Sequence, residues 1–479
     1  MPEPMPDFKH MTHTELVVWC ETMWQQLQKV LNSSQTLQEH IQKLEKRITE
    51  LETVKKTSLN SSNPPSKDQK VNLEPEVVQQ KQRLASLGRK GGGRPLHSNP
   101  DFEHVIRPDI CSHCGSFLLN AVDVIHAVYD KIELPEIKPS VTRVTQLACT
   151  CQTCQKVTIA IPPVGLEGGT PFGESIQNLT LSLRFGHAIS FARLQGVLNE
   201  VFAVKISQGG INNLLLNALE KLKPQIEKIK RLVTNGDGIM SDETSVRVKG
   251  KNRWEWVFST TQACLHVIRG SRGFDVIQEF FNKTKIETGE QTKPEFWVSD
   301  LYGAQAKNPA LRWQVCLAHQ LRDCKFAIDA GDVLFAPLMK ALFYRALEIH
   351  ERRDNLAQST LLSYQREVRR DLKFALSMTL THKEAKRLLK RYLKIQDSLF
   401  VFLEHPHVPA TNNASERRIR WSVIFRKVTN GCRSEWGAEL LAGVRSVVNT
   451  GVLHGLSGFE AIGQALSLRG LLPEILNSS

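Results

Sequence analysis

The sequence predicts a multidomain α+β protein with an N-terminal coiled coil, a zinc-binding domain and an α/β core that a helical insertion interrupts. Three observations support this prediction: a heptad repeat near the N-terminus, two Cys-x-x-Cys pairs, and strand and helix patterns that alternate over residues 235–327. With 479 residues, of which 41% are hydrophobic, the chain can form about three domains with real cores.

The charge balance favours a polyanionic partner. The chain has 62 basic and 49 acidic residues, a net charge of +13, and nucleic acid is the commonest polyanion, although a merely soluble basic protein would have the same composition. No uncharged apolar stretch approaches the ~18 residues of a membrane span. The N-terminus is acidic and proline-rich, unlike a secretory signal. We therefore expect a cytoplasmic protein with no membrane contact.

Residues 1–56 are predicted to form a coiled coil. Apolar residues recur in alternating steps of three and four, and polar Ser34 is the one interruption. About four heptads of this pattern indicate self-association, most simply as a homo-oligomer; the alternative is one amphipathic helix packed on its own chain. The repeat comprises Cys20, Met23, Leu27, Val30, Leu37, Ile41, Leu44, Ile48 and Leu51.

Residues 57–100 are predicted to be a flexible basic linker, because they are rich in Asn, Ser, Pro, Gln and charge. The linker ends in a glycine- and cation-rich segment around Gly-Arg-Pro. Such a segment can follow the DNA minor groove with Arg94 reaching into it, although a solvated basic linker has the same composition.

Residues 101–170 are predicted to be a zinc-binding domain. Each Cys-x-x-Cys turn directs two thiolates at one point, and two such turns complete a tetrahedral site that is structural, because it leaves no open position. β-Prone segments such as 122–129 would fill the separation, and Cys149 could replace Cys151. The predicted Zn²⁺ ligands are Cys111, Cys114, Cys151 and Cys154.

Residues 171–234 are predicted to be a helical DNA-binding segment. One helix is expected over 191–200, and Ser207 is a plausible N-cap for a second that runs to Leu219. This spacing fits a helix-turn-helix, but a generic helical hairpin has the same pattern.

Residues 235–327 are predicted to contain three strands, a helix, a strand, a helix from Tyr302, a fifth strand and a final helix. This is the element order of a ribonuclease-H-like fold, in which the first and fourth strands are neighbours. Asp242 on the first strand and Asp300 after the fourth could therefore meet at one edge.

A third acidic residue, Glu416, follows a basic helical insertion predicted over residues 328–409. Residues 410–479 are predicted to hold the last catalytic helix and a tail, with Asn412 or Asn413 as its N-cap. Three carboxylates brought together by a fold are what divalent ions need for phosphoryl transfer.

Each acidic residue also has an ordinary structural interpretation. Asp242 could be an exposed strand residue, with Glu243 or Asp237 as the true ligand. Asp300 could simply cap the next helix, and Glu416 could pair with Arg420 one turn later.

The chain resembles the insertion-sequence-66 family of bacterial DDE transposases over nearly its whole length. The most specific motifs are Asp-Glu-Thr-Ser-Val-Arg-Val from Asp242, Cys-Leu-Ala-His from Cys316, and Val-Pro-Ala-Thr-Asn-Asn-Ala-Ser-Glu-Arg from Val408. The last block continues into Phe-Arg-Lys from Phe425 and Arg-Ser-Glu-Trp-Gly from Arg433.

The resemblance implies that Asp242, Asp300 and Glu416 hold two Mg²⁺ or Mn²⁺ ions for DNA cleavage and strand transfer at the inverted repeats of a mobile element. Expected partners are double-stranded DNA of the element ends and target, a second protomer and small accessory proteins, in the bacterial cytoplasm at the nucleoid. A cleavage-inactive regulator derived from such an enzyme, or a repair nuclease, is the alternative. The expected DNA contacts are Arg94, Arg417, Arg420, Arg426, Lys427 and Arg433.

Overall fold

The computed structural model describes Phe8, residues 11–52 (side chains to 44), 94–281, 293–467 and 470–471. The chain divides into two compact units. One unit contains residues 1–68, 172–188 and 215–479, and the other contains 69–171 and 189–214. Most of the predicted linker lies outside the described residues, and the predicted domain boundaries stay predictions.

The N-terminal helix α1 spans His13–Glu52, as the heptad pattern predicts. A capping box begins it: the Thr12 N–H donates to Glu15 Oε2 at 2.8 Å, and the Glu15 N–H donates to Thr12 Oγ1 at 3.5 Å. The heptad face is open to solvent, with Leu27 50% and Val30 65% exposed. Pairing of two such helices stays a prediction. Among the described helices, none combines the length and apolarity that crossing a membrane requires.

The predicted zinc-binding domain contains one small antiparallel hairpin, formed by β1 (Ala148–Thr150) and β2 (Val157–Ile159). The expected strand over residues 122–129 is wrong, because that segment has no regular structure. Val122 is 90% and Val124 is 84% exposed. These apolar side chains are therefore not buried, and the segment lacks the packing that stabilises a strand.

Three helices precede the main sheet: α2 (Glu174–Leu181), α3 (Phe191–Glu200) and α4 (Gln208–Thr234). The prediction for α3 is confirmed, and Ser207 Oγ accepts the Gly210 N–H at 3.0 Å at the start of α4. The predicted end of α4 at Leu219 is wrong. The helix continues through Pro224 to Thr234 because its buried face continues, with Leu222, Ile229 and Val233 all fully buried.

The main sheet has five strands in the order β5-β4-β3-β6-β7. The first three form an antiparallel meander, while β6 and β7 run parallel to β3. The predicted neighbour relation of the first and fourth strands is therefore confirmed. The strands are β3 (Gly238–Val248), β4 (Lys251–Ser259), β5 (Cys264–Arg269), β6 (Phe296–Ser299) and β7 (Arg312–Val315).

Helix α5 (Phe274–Phe281) follows β5 and covers one face of this sheet. Its Phe281 ring lies 5.2 Å from Phe258 and 5.0 Å from Trp297, so aromatic packing fixes that face. The helix predicted from Tyr302 is wrong: a 3₁₀ turn, Gln305–Lys307, occupies this position. Gln305 is fully buried and its side chain is bonded to the sheet, which holds the segment in a short turn.

The segment between β7 and the last helices is helical, as predicted. Its large core joins these helices to the β6–β7 side of the sheet through Val298, Val315 and Phe343. The helices are α6 (Leu317–Asp329), α7 (Phe335–Arg352), α8 (Gln358–Leu376), α9 (Lys383–Ile395) and α10 (Val401–Glu404).

The C-terminal helices α11 (Asn413–Thr429), α12 (Glu435–Leu453) and α13 (Gly458–Leu466) complete the unit. Ile419 of α11 packs on Val257 and Cys264, so α11 lies on the sheet face opposite α5.

A buried polar cluster lies between the sheet and the C-terminal helices; we call it the Glu255–His266 cluster. Glu255 Oε1 contacts His266 Nδ1 at 2.8 Å and accepts the Ser422 hydroxyl of α11 at 2.7 Å. The Asn449 amide of α12 contacts His266 Nε2 at 2.8 Å. Burial lowers the pKa of His266, but Cys264 and Glu255 outweigh it and raise that pKa to about 9.

Candidate functional site

Asp242 and Asp300 lie near each other because β3 and β6 are parallel neighbours and the two residues hold equivalent positions in their register. The β3–β6 register pairs Met240 with Val298, and each aspartate comes two residues later. Asp242 is also the cross-strand partner of Val257 in β4, so its side chain shares the sheet face that α11 covers. Strand register therefore accounts for the first two acidic groups of the site.

The charged form of Asp242 is disfavoured by its surroundings. Burial is the largest cause that raises the pKa of Asp242 well above its usual range, and the neighbouring charges of Glu243, Asp300 and Glu416 add to it. One hydrogen bond opposes the rise, from the Glu243 N–H to Asp242 Oδ1 at 2.8 Å. A bound cation would relieve this repulsion.

Glu243 lies opposite Trp256 in the register, on the other face of the sheet. Both of its carboxylate oxygens already have partners: Arg272 donates to Oε1 at 2.8 and 3.1 Å, and Gln305 donates to Oε2 at 2.8 Å. The carboxylate itself is 1% exposed. Asp237 lies beside Glu295, at the opposite end of the paired strands from Asp300. Both alternatives to Asp242 are therefore poorly placed to be ligands.

Glu416 reaches the site from the first turn of α11, and Asn412 fixes where that helix begins. Asn412 stands at the N-cap position, but its side chain does not cap the helix. Its Nδ2 donates instead to Ser241 O of β3 at 2.7 Å, and its backbone N–H donates to Cys316 Sγ at 3.2 Å. These bonds tie the start of α11 to the strand that carries Asp242.

The structural alternatives for the other two acids are tested by their contacts. Asp300 Oδ1 accepts the Tyr302 N–H at 2.9 Å, so it does stabilise the following turn, while its charge still acts on Asp242. Within the described chain, Glu416 forms no ion pair with Arg420. The basic side chain in contact with it is His319, whose Nδ1 lies 3.7 Å from Glu416 Oε1.

Several buried polar atoms around Glu416 lack hydrogen-bond partners within the described residues. Such atoms are costly unless a ligand satisfies them, so their grouping here fits a cation site. The side chains of Asp242, Asp300 and Glu416 offer the hard oxygen ligands that Mg²⁺ or Mn²⁺ prefers, and their mutual repulsion fits the same ions. The unpartnered atoms include His319 Nδ1, Asn412 Oδ1, Ser415 Oγ and Glu416 Oε1.

Sequence reasoning gave little weight to Cys316 and His319. Their side chains, together with Glu416, form the one set of three or more metal-ligating groups that the described residues bring together, with all ligand atoms within 4.8 Å. Cys316 is fully buried, and burial raises the pKa of its thiol to about 11. The Cys-x-x-His spacing was the signal that could have identified them.

Most cations predicted to contact DNA are on the surface. Arg94, Arg417, Arg420, Lys427 and Arg433 are exposed. The structure gives Arg426 partners within the chain instead, since its guanidinium donates to the backbone and hydroxyl oxygens of Ser245. Arg426 therefore helps to hold α11 on β3.

The two Cys-x-x-Cys pairs form loops with the same backbone geometry. The Cys111 N–H donates to Ser116 O and the Gly115 N–H to Cys111 O, both at 2.9 Å. The equivalent bonds, from Cys151 to Lys156 O and from Gln155 to Cys151 O, measure 2.9 and 2.8 Å. Gly115 and Gln155 share a positive φ, of 74° and 56°.

Both loops favour thiolates. The Ser116 hydroxyl is the first cause that lowers the pKa of Cys114, and backbone N–H groups of Cys154 and Thr153 lower that of Cys151. The structure does not gather all four sulfur atoms, because the one close set of ligating groups in the described chain is that of Cys316. The four-thiolate zinc site stays a prediction.

Comparison with known proteins gives one positive finding. A model of the Transposase IS66 family matches residues 169–440, which is more than half of the chain. The match extends from α2 into α12 and includes the three acidic residues of the site. The search of curated proteins gives no match.

Proposed function

Since the chain belongs to the Transposase IS66 family, we propose that it cuts DNA at the ends of its mobile element and joins the freed ends to target DNA. The observation that carries the proposal is the β3–β6 register, which sets Asp242 and Asp300 at equivalent positions of adjacent parallel strands. The bond of Asn412 to Ser241 attaches the start of α11, the helix that carries Glu416, to β3. The strand order and directions support a ribonuclease-H-like core.

Asp242, Asp300 and Glu416 would hold two Mg²⁺ or Mn²⁺ ions. When bound, two such metal ions would activate a water or a DNA 3′-hydroxyl and stabilise the departing oxygen. The protein holds the ligands in place. The bond of Asn412 to Ser241 positions Glu416, and the bond from the Tyr302 N–H to Asp300 Oδ1 positions the Asp300 carboxylate. Glu243 is held by Arg272 and Gln305, and its charge raises the pKa of Asp242. A bound cation would stabilise the charged form of Asp242 against this effect.

The exposed cations of α11 support the DNA part of the proposal. Arg417 and Arg420 follow Glu416 by one and four residues, so phosphates that they bind would lie next to the acidic site. Arg94 and the two cysteine loops, each of which would supply two zinc ligands, are proposed to help recognise the element ends. The exposed heptad face of α1 supports pairing of two protomers, which would hold both ends together.

The direct test uses DNA that carries the element's inverted repeats, incubated with the full-length protein with and without Mg²⁺. We expect binding in both conditions and strand cleavage with Mg²⁺ alone. Binding without cleavage at any divalent ion would instead support the regulator that has lost its nuclease activity. Cleavage without preference for the repeats would support a repair nuclease.

A further inference from the structure

The side chains of Cys316, His319 and Glu416 bring three potential metal-ligating atoms close together. Their ligand atoms lie within 4.8 Å of one another, and His319 Nδ1 is 3.7 Å from Glu416 Oε1. A tetrahedral zinc ion with bonds of about 2.0–2.3 Å spaces its ligand atoms by about 3.3–3.6 Å. Small side-chain movements would therefore close the site around an ion.

The unsatisfied atoms point to a ligand in the same place. His319 Nδ1 and Glu416 Oε1 are both buried and have no hydrogen-bond partner among the described residues. Each can act as a ligand with that atom, so one ion would satisfy both. A thiolate, an imidazole and a carboxylate together suit Zn²⁺ and similar ions, whereas Mg²⁺ requires oxygen ligands.

The backbone around the site is already fixed. Cys316 lies between β7 and α6, and the Leu317 N–H donates to Ala410 O at 3.0 Å. The Asn412 N–H donates to the Cys316 sulfur at 3.2 Å, so the segment before α11 is bonded to the segment before α6. The ligands therefore lose little conformational freedom when an ion binds, which favours tight binding.

We propose that Cys316, His319 and Glu416 form a separate site for a thiophilic divalent cation such as Zn²⁺, with a fourth position open to solvent or DNA. This site would share Glu416 with the catalytic Mg²⁺ site, and that consequence rests on the proposed function. Because Zn²⁺ on Glu416 Oε1 would draw this carboxylate toward Cys316 and His319, it would compete with the catalytic ions for Glu416. Zn²⁺ would then inhibit DNA cleavage, and a chelator would restore it.

The test uses Co²⁺ as the probe, because a Co²⁺–thiolate bond has its own charge-transfer absorption. The full-length protein with Cys111, Cys114, Cys151 and Cys154 changed to serine, so that the two cysteine loops contribute no thiolate band, is titrated with Co²⁺ in the absence of DNA. We expect one thiolate band at one equivalent, loss of that band in Cys316→Ser, and at least about tenfold weaker binding in His319→Gln. Cys324 is a buried cysteine of α6, the helix that carries His319. Cys324→Ala is therefore the matched control and should keep the band.

No thiolate band in this four-serine protein, or the same band and affinity after His319→Gln in it, would overturn the proposal. His319→Gln keeps the test decisive if Cys316→Ser fails to fold, because His319 is partly exposed. The band is read without DNA, so a protein that never cuts DNA can still confirm the site. In a cleaving protein, His319→Gln should need more Zn²⁺ for half inhibition.

Discussion

Two clusters of charged side chains contact helix α11, and they are built in opposite ways. At its N-terminus, Glu416 joins Asp242 and Asp300, and the neighbouring acidic charges disfavour the charged form of Asp242. In its middle, Ser422 contacts the Glu255–His266 cluster, where Glu255 Oε1 lies 2.8 Å from His266 Nδ1 and accepts the Ser422 hydroxyl at 2.7 Å. The difference indicates which cluster the fold needs for stability and which needs a ligand.

Raised pKa values have opposite meanings in the two clusters. The raised pKa of His266 means that its partners stabilise the charged form, so the pair contributes to folding. The raised pKa of Asp242 means that burial and neighbouring carboxylates disfavour the charged form. A cluster that opposes its own charge without a cation is typical of a functional site.

The largest expected effect comes from removing an acidic ligand. Asp242→Asn, Asp300→Asn or Glu416→Gln should lower DNA cleavage by about 10³-fold or more, because each change removes an oxygen ligand of the proposed ions. DNA binding, measured by gel shift without divalent ions, should survive. Full cleavage by any one variant would remove that residue from the site. Glu404→Gln, an exposed pair with Arg369, is the matched control.

Breaking the buried Glu255–His266 pair should lower the stability of the fold and should not act on the cleavage chemistry. Glu255→Ala leaves the His266 imidazolium buried without its partner, so we expect the free energy of unfolding to fall by about 3–4 kcal/mol. Chemical denaturation measures this loss. Ser422→Ala removes one hydrogen bond to Glu255 and should cost about 1 kcal/mol. Equal stability of Glu255→Ala and wild type would show that the pair contributes nothing.

The same pair predicts a pH dependence. Because the folded pKa of His266 is raised to about 9, its contribution is complete below the unfolded value near 6.5 and is lost as pH rises through 9. Between pH 7 and 10 the wild type should lose about 2 kcal/mol more than His266→Gln. Parallel pH profiles of the two proteins, from denaturation curves, would contradict the assignment.

The smallest effect concerns the acidic site without cations. Asp242→Asn removes a disfavoured charge, so we expect its melting temperature in EDTA to exceed that of wild type by about 2 °C. Added Mg²⁺ should stabilise the wild type more than the variant. A lower melting temperature for the variant in EDTA would mean that the Asp242 charge is favourable in the fold.

The sequence predicted much of the core because strand periodicity and order are local signals. The three-strand meander, the adjacency of β3 and β6, and the helical insertion follow from them. The helix expected from Tyr302 failed because Gln305 is held by Glu243 and Trp297, contacts that sequence spacing does not reveal. The end of α4 failed because a buried face outweighs Pro224.

The site was predictable in part. Asp242 and Asp300 could be matched because Asp242 lies on the first predicted strand and Asp300 ends the fourth, its expected neighbour, whereas Glu416 required knowledge of where α11 attaches. That attachment depends on the bonds of Asn412 to Ser241 and Cys316, which join segments far apart in the chain. The same bonds bring Cys316 and His319 to Glu416, so the ligand set could not be derived from local pattern.

The acidic cluster should bind divalent cations, whereas the Glu255–His266 cluster should not. Mn²⁺ binding, followed by electron paramagnetic resonance of the free ion, tests this directly. We expect the wild type and Glu255→Gln to bind Mn²⁺ alike, and the Asp242→Asn/Asp300→Asn double variant to bind at least about tenfold more weakly. Undiminished Mn²⁺ binding by the double variant would contradict the account.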